Sequence, residues 1–204
     1  MATTPKELDL TIYQGRTFKH VLRWEVDPMV YKVITAITKA APASITATGH
    51  GLRTGWYAAV TDVLGMTQIN ATANHPREKD YHQVTRVDDN TVTINDIDAA
   101  SYSTYTSGGY LRYRTPASLA SYTARMDIKT KVGGTVLLAI DSTSEITLDD
   151  TEHTITIELT PTVTAAITTW TRGVYDIELV SSTGTVDCLL TGTVTVIPEV
   201  TTSA

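Results

Sequence analysis

Tyr122-Thr123-Ala124-Arg125-Met126-Asp127-Ile128-Lys129 sets Tyr, Ala, Met and Ile on one side of an extended chain and Thr, Arg, Asp and Lys on the other. Side chains of a strand alternate between its two faces, so this octapeptide predicts a strand with one face in a core and one in water. The pattern repeats downstream. Ile155, Ile157 and Leu159 oppose Thr154, Thr156 and Glu158, while Tyr175, Ile177 and Leu179 oppose Asp176 and Glu178. A last run places Val186, Cys188, Leu190, Val194 and Val196 on one face, and Ser181-Ser182-Thr183-Gly184 before it has the composition of a hairpin turn. Upstream, Leu8 to Tyr13 and Thr17 to Trp24 read as strands interrupted at Gln14-Gly15. The exception is Thr160 to Ile167, where Thr160 can cap exposed amides and Pro161 suits the first position of a helix of at most two turns.

Composition agrees. Threonine supplies 39 of the 204 residues and Phe only one; β-branched side chains fit a pleated, half-buried surface. The expected class is all-β, a discontinuous antiparallel β-sandwich made of residues 1–32 and 114–204. Residues 33–113 differ in texture, with short apolar runs punctuated by Gly49-His50-Gly51, Gly55, Asp88-Asp89-Asn90 and Ser107-Gly108-Gly109. That spacing predicts a small inserted β-barrel-like domain, since about 80 structureless residues inside a compact protein would be exceptional.

The net charge of −6 and the scattered Lys and Arg exclude a basic stripe for nucleic acid. The opening residues show no apolar signal core and no run of 18 apolar residues occurs, so neither secretion nor membrane insertion is expected, and folding in a cytoplasm is. One cysteine, Cys188, excludes an internal disulfide and a two-cysteine metal motif. On its apolar face it reads as a small, inert core residue.

Residues with chemical potential have structural explanations. His75, Glu78 and His82 match no helix-borne zinc spacing and read as polar loop. His50 between two glycines suggests a turn needing positive φ, with its ring folded back onto the domain. His20 and His153 are expected at solvent-facing sheet positions. The pairs Asp88-Asp89 and Asp149-Asp150, and Asp96 with Asp98, suit turn hydrogen bonding. A glycosidase would need carboxyls facing each other across roughly 5–10 Å. No catalytic residue, cofactor or metal is expected. Trp56, Tyr57, Tyr102, Tyr105 and Tyr110 form the candidate interaction surface, because exposed aromatics anchor interfaces or stack on sugars; the alternative is that they fill a core poor in Leu and Phe.

Ile34 to Thr38, Ile45 to Leu52, Gly65 to Asn70 and Tyr105 to Gly109 resemble a module that recurs in bacteriophage structural proteins. The same segments are similar to the first catalytic cysteine half-domain (FCCH) of ubiquitin-activating enzymes, a β scaffold whose chemistry does not carry over to a segment without cysteine. Leu10 to Gly15, Tyr122 to Met126, Tyr175 to Val180 and Leu190 to Val196 resemble a sandwich pattern of tailed-phage virion proteins, here interrupted after Trp24 by the insertion. The resemblance implies a virion component, at the head-tail connector, neck, tail or baseplate, assembled in the host cytoplasm from copies of itself and other virion proteins. Host-surface glycan or receptor binding through the inserted domain is the alternative. The polar tails, Met1 to Glu7 and Pro198 to Ala204, are expected to be free in a monomer and to order on a neighbour.

Overall fold

The computed structural model describes residues 5–200. The chain divides into two compact units, Met1–Glu25 with Pro116–Ala204, and Val26–Thr115. The first begins with β1 (Lys6–Glu7), β2 (Leu10–Tyr13) and β3 (Phe18–Leu22). The second holds β4 (Glu25–Val33), β5 (Ala36–Ile37), β6 (Ala43–Thr46), β7 (Tyr57–Leu64), β8 (His82–Arg86), β9 (Thr91–Ile94) and β10 (Ser107–Pro116). The first resumes with β11 (Tyr122–Lys129), β12 (Val136–Asp141), β13 (Ile146–Asp149), β14 (Thr154–Leu159), α1 (Pro161–Ala165), β15 (Arg172–Ser181) and β16 (Val186–Ile197). The fold is all-β, as its composition predicts.

In the discontinuous unit a six-stranded sheet, β1-β16-β15-β11-β12 with β2 also on β16, faces a three-stranded sheet, β13-β14-β3. Inward residues of both, among them Met126, Ile128, Ile177 and Val194 on one side and Ile155, Ile157 and Leu159 on the other, share one buried cluster. The period-2 strands fall where alternation places them, and the β15–β16 hairpin closes with Ser181 N–H donating to Thr185 O at 2.9 Å. The helix caps as expected, Thr160 Oγ1 accepting from Val163 N–H at 3.4 Å.

Three expectations need correction. The sheet is mixed, not purely antiparallel, because β1 and β2 run parallel to β16. Lys6 and Glu7 are therefore strand, not free tail, paired with Leu190 and Thr191; the tail residues before 5 and after 200 lie outside the described ones. The same register holds on both sides of the break between β1 and β2, where Leu8 N–H donates to Thr191 O at 2.8 Å and the Asp9 carboxylate accepts from Thr193 N–H and Oγ1 at 2.9 and 2.8 Å. Thirdly, Val186 and Cys188 lie on the outer face. Ile177 pairs with Leu190 but Glu178 with Cys188, so Leu189 is an extra residue that reverses the alternation. Val186 is exposed, and the half-buried Cys188 thiol is pushed up in pKa by burial and by the charges of Asp176 and Glu178.

Val26–Thr115 is a sheet closed on itself. Its order is β4-β10-β7-β8-β9-β6-β5, yet β4 and β5 at its two ends are consecutive in the chain. Ile34 N–H donates to Gly109 O on β10 at 3.0 Å and the next amide, Thr35, donates to Thr46 O on β6 at 2.9 Å. One continuous segment thus bonds both flanks and closes a barrel with no free edge there. The unit extends beyond residues 33–113 because β4 and the end of β10 are part of this wall. Its interior holds Ile45, Leu52, Val60, Met66, Val92, Ile94 and Leu111.

Candidate functional site

Alternation in β7 and β10 sends Val60 and Leu111, which pair across the ladder, into the barrel, and leaves Thr61 and Arg112 on its outer wall. Outer-wall residues are ordinarily wet. Here Thr61 is 6% exposed and Arg112 7%. The segment between Gly65 and Tyr81 folds over them, held by side chains that imitate a strand. Asn70 Oδ1 accepts from Val63 N–H at 2.8 Å and its amide donates back to Val63 O at 3.0 Å, while Ala71 N–H donates to Val60 O at 2.7 Å. Asp80, itself buried, fastens the far end: its carboxylate accepts from Thr72 N–H and Oγ1 at 3.1 and 2.8 Å and from Arg77 N–H at 2.8 Å. Those bonds, the Arg77 and Thr72 amides foremost, hold its pKa down at about 2.

Between wall and segment is a cavity of about 230 Å³, lined by Thr61, Asp62, Asn70 to Asn74 and Arg112. The Arg112 guanidinium lies 4.9 Å from the centre of the Tyr31 ring and donates from Nη2 to Tyr31 Oη at 3.2 Å. Arg112 Nε and Thr61 Oγ1 are buried without a hydrogen-bond partner, and among the described residues no carboxylate pairs with Arg112. A buried polar group left so costs about 1–3 kcal/mol, which makes two of them in one cavity the least economical feature of the barrel. Asp62 and Gly109, opposite each other in the ladder, both have positive φ, 61° and 94°. A Cβ on Gly109 would collide with the Val63 side chain.

The aromatic residues expected as a contact surface separate. Trp56 is 5% exposed and belongs to the barrel core, tilted against Tyr113 at 6.4 Å. Tyr102 and Tyr105 pack against that core, and Tyr105 Oη donates to Ile34 O and Gly108 O at 2.9 and 3.0 Å. Tyr57 and Tyr110 are exposed, and Tyr110 meets the exposed Tyr31 edge-on at 6.2 Å. Three of the five therefore build the module, and Tyr31, a strand residue whose partner on β10 no local pattern discloses, joins the exposed pair.

His50 is fully buried. Leu52 N–H donates to its Nδ1 at 2.9 Å, which places the ring proton on Nε2, 3.0 Å from Asp88 O; Tyr113 Oη donates to His50 O. The positive φ belongs to its neighbours, Gly49 and Gly51. His20 faces inward opposite Ile157, not outward, and burial lowers its pKa. His153 is half-buried, 3.2 Å from Ala117 O through Nδ1. His75 is exposed, and His82 Nδ1 lies 2.9 Å from Asp96. Among the described residues no three His, Cys, Asp or Glu come together as a metal site. The carboxylate pairs serve turns: Asp88 accepts from Asn90 N–H, Asp149 from Thr151 and Glu152 N–H, and Asp150 from Leu119 and Ala120 N–H.

The sandwich unit has a hollow of its own, of about 490 Å³. Leu8, Leu22, Trp24, Leu189 and Leu190 line it, with Lys6, His20, Arg23 and Glu25 around them. It follows from six strands facing three, which leaves part of the larger sheet's inner face without cover.

No curated protein matches this chain. Residues 43–113 match the family described as the ubiquitin-activating enzyme E1 FCCH domain, and this stretch of the barrel is an FCCH-like module.

Proposed function

We propose that the protein is a structural component of a tailed-phage virion, at the connector, neck, tail or baseplate, and that it works by assembling with copies of itself and other virion proteins. The observation that carries this reading is the unequal sandwich. Its apolar hollow, walled by Leu22, Trp24, Leu189 and Leu190, lies beside β3, which among the described residues has a strand partner, β14, on one side only. An apolar face next to an unpaired strand edge is the surface that strand addition by a neighbour covers. The likeness of both segments to phage virion proteins, read from the sequence, supports the same reading by resemblance. Particles assembled without the protein should be incomplete in electron micrographs, and the purified protein should form a closed oligomer in solution; normal particles would refute the reading.

A second reading, recognition of a host-surface glycan by the inserted unit, is favoured by the exposed Tyr31–Tyr110 pair. The full chain carrying Tyr31→Ala and Tyr110→Ala would then lose binding on a glycan array while still assembling.

A further inference from the structure

We propose that the cavity between β7, β10 and residues 70–74 is a binding site for a monoanionic carboxylate, a role separate from the assembly reading. A guanidinium on a barrel wall normally reaches water or a carboxylate of its own chain. Arg112 has no carboxylate partner among the described residues: it is 7% exposed, its Nε has no hydrogen-bond partner, and its hydrogen bond and its ring contact both go to Tyr31. Nε–H and the Nη groups form a planar fork that matches the two oxygens of a carboxylate. Thr61, 6% exposed and likewise without a partner at Oγ1, lines the same cavity and can donate its hydroxyl to the same group.

Size and charge narrow the ligand. About 230 Å³ accommodates roughly eight waters at about 30 Å³ each, enough for a short carboxylate with its first carbons. Asp62 shares the lining, and its negative charge disfavours a dianion such as phosphate relative to a single carboxylate. Asn70 is held in the cavity wall by one bond accepted from and one donated to the Val63 backbone. The Tyr31 ring, which holds the guanidinium from the exposed side, keeps the fork oriented before the ligand arrives.

The test is ¹⁵N NMR of the Arg112 Nε–H in the full chain, titrated with sodium acetate, with the blocked peptide Ac-Gly-Glu-Gly-NH₂ and with inorganic phosphate at matched ionic strength. Acetate is expected to shift the resonance saturably, with phosphate weaker. Tighter binding of the peptide assigns the carboxylate to a protein side chain; equal or weaker binding assigns it to a free small molecule. Arg112→Lys, which keeps the charge but not the fork, should weaken binding roughly tenfold or more, and Thr61→Val roughly tenfold, whereas Thr61→Ser should retain it. Unchanged thermal melts of the Thr61 variants keep the comparison valid should Arg112→Lys unfold. No saturable shift with either carboxylate, or stronger binding of phosphate, overturns the proposal.

Discussion

Tyr175 donates its hydroxyl to the Leu8 carbonyl at 2.7 Å, tying the break between β1 and β2 to the middle of the larger sheet. Burial, assisted by the charge of Asp9, pushes the Tyr175 pKa up to about 12, so the phenol keeps its proton and remains a donor throughout the stable pH range. Tyr175→Phe is expected to cost about 1 kcal/mol in urea unfolding, with faster amide exchange at Leu8. Exchange unchanged at Leu8 would show that the parallel pairing, not this bond, holds β1.

Gly192 lies beneath the same crossing. A Cβ there would collide with the Leu8 carbonyl oxygen. Gly192→Ala should therefore cost about 1–3 kcal/mol, more than Tyr175→Phe, by lifting Leu8 off β16. Combining the two substitutions should cost less than their sum, since both release one contact. Chemical denaturation of the three variants decides this.

His20 offers a pH signature. Its folded pKa is below the ordinary 6.5 because burial disfavours the imidazolium. The unfolded chain consequently takes up the proton first, so this contribution to stability is complete above the unfolded value and declines as pH falls from there through the lower folded value. With Lys6, Arg23 and Glu25 around the hollow, His20→Gln isolates the effect: the variant should lose less stability than the wild type between neutral pH and about pH 5. Parallel stability curves for the two would refute it.

Asp80 behaves in the same direction at lower pH. Its depressed pKa of about 2 gives stability that is present above the ordinary carboxylate value of 3.8 and is lost as pH falls towards 2. Amide shifts of Thr72 and Arg77 should titrate together with a midpoint near that lower value. Asp80→Asn should abolish the shared titration and loosen residues 70–74 over the cavity.

The barrel should fold by itself. Because the β4–β5 segment bonds both β10 and β6, residues 26–115 expressed alone should give a cooperative thermal transition and a β-type circular dichroism spectrum.

Legibility in the sequence followed the range of the interactions. β11, β14 and β15 are plain from alternation, because each buries one face over its whole length. β12 is not, since Val136-Leu137-Leu138-Ala139-Ile140 is an apolar run without period, and the parallel pairing of Lys6 with Leu190 joins opposite ends of the chain through backbone groups that carry no residue signature. The extra residue Leu189 defeated the reading of Cys188 because one insertion reverses every side chain beyond it. Nothing in the sequence singles out Arg112; its burial depends on Asn70 and Asp80 drawing a distant segment over it. Trp56 and Tyr105 belong to a core that lacks Phe, and nothing local separates that use of an aromatic ring from an exposed one.

Where the chain enters and leaves the barrel, β4 and β10 are neighbours, and Trp24 O accepts from Ala117 N–H at 2.7 Å just outside them. An insertion whose two ends emerge one hydrogen bond apart needs from its recipient no more than a loop of ordinary span. A cassette of this kind can be removed or moved by joining Trp24 to Ala117, which leaves β3 and β11 in their separate sheets with a short loop between them.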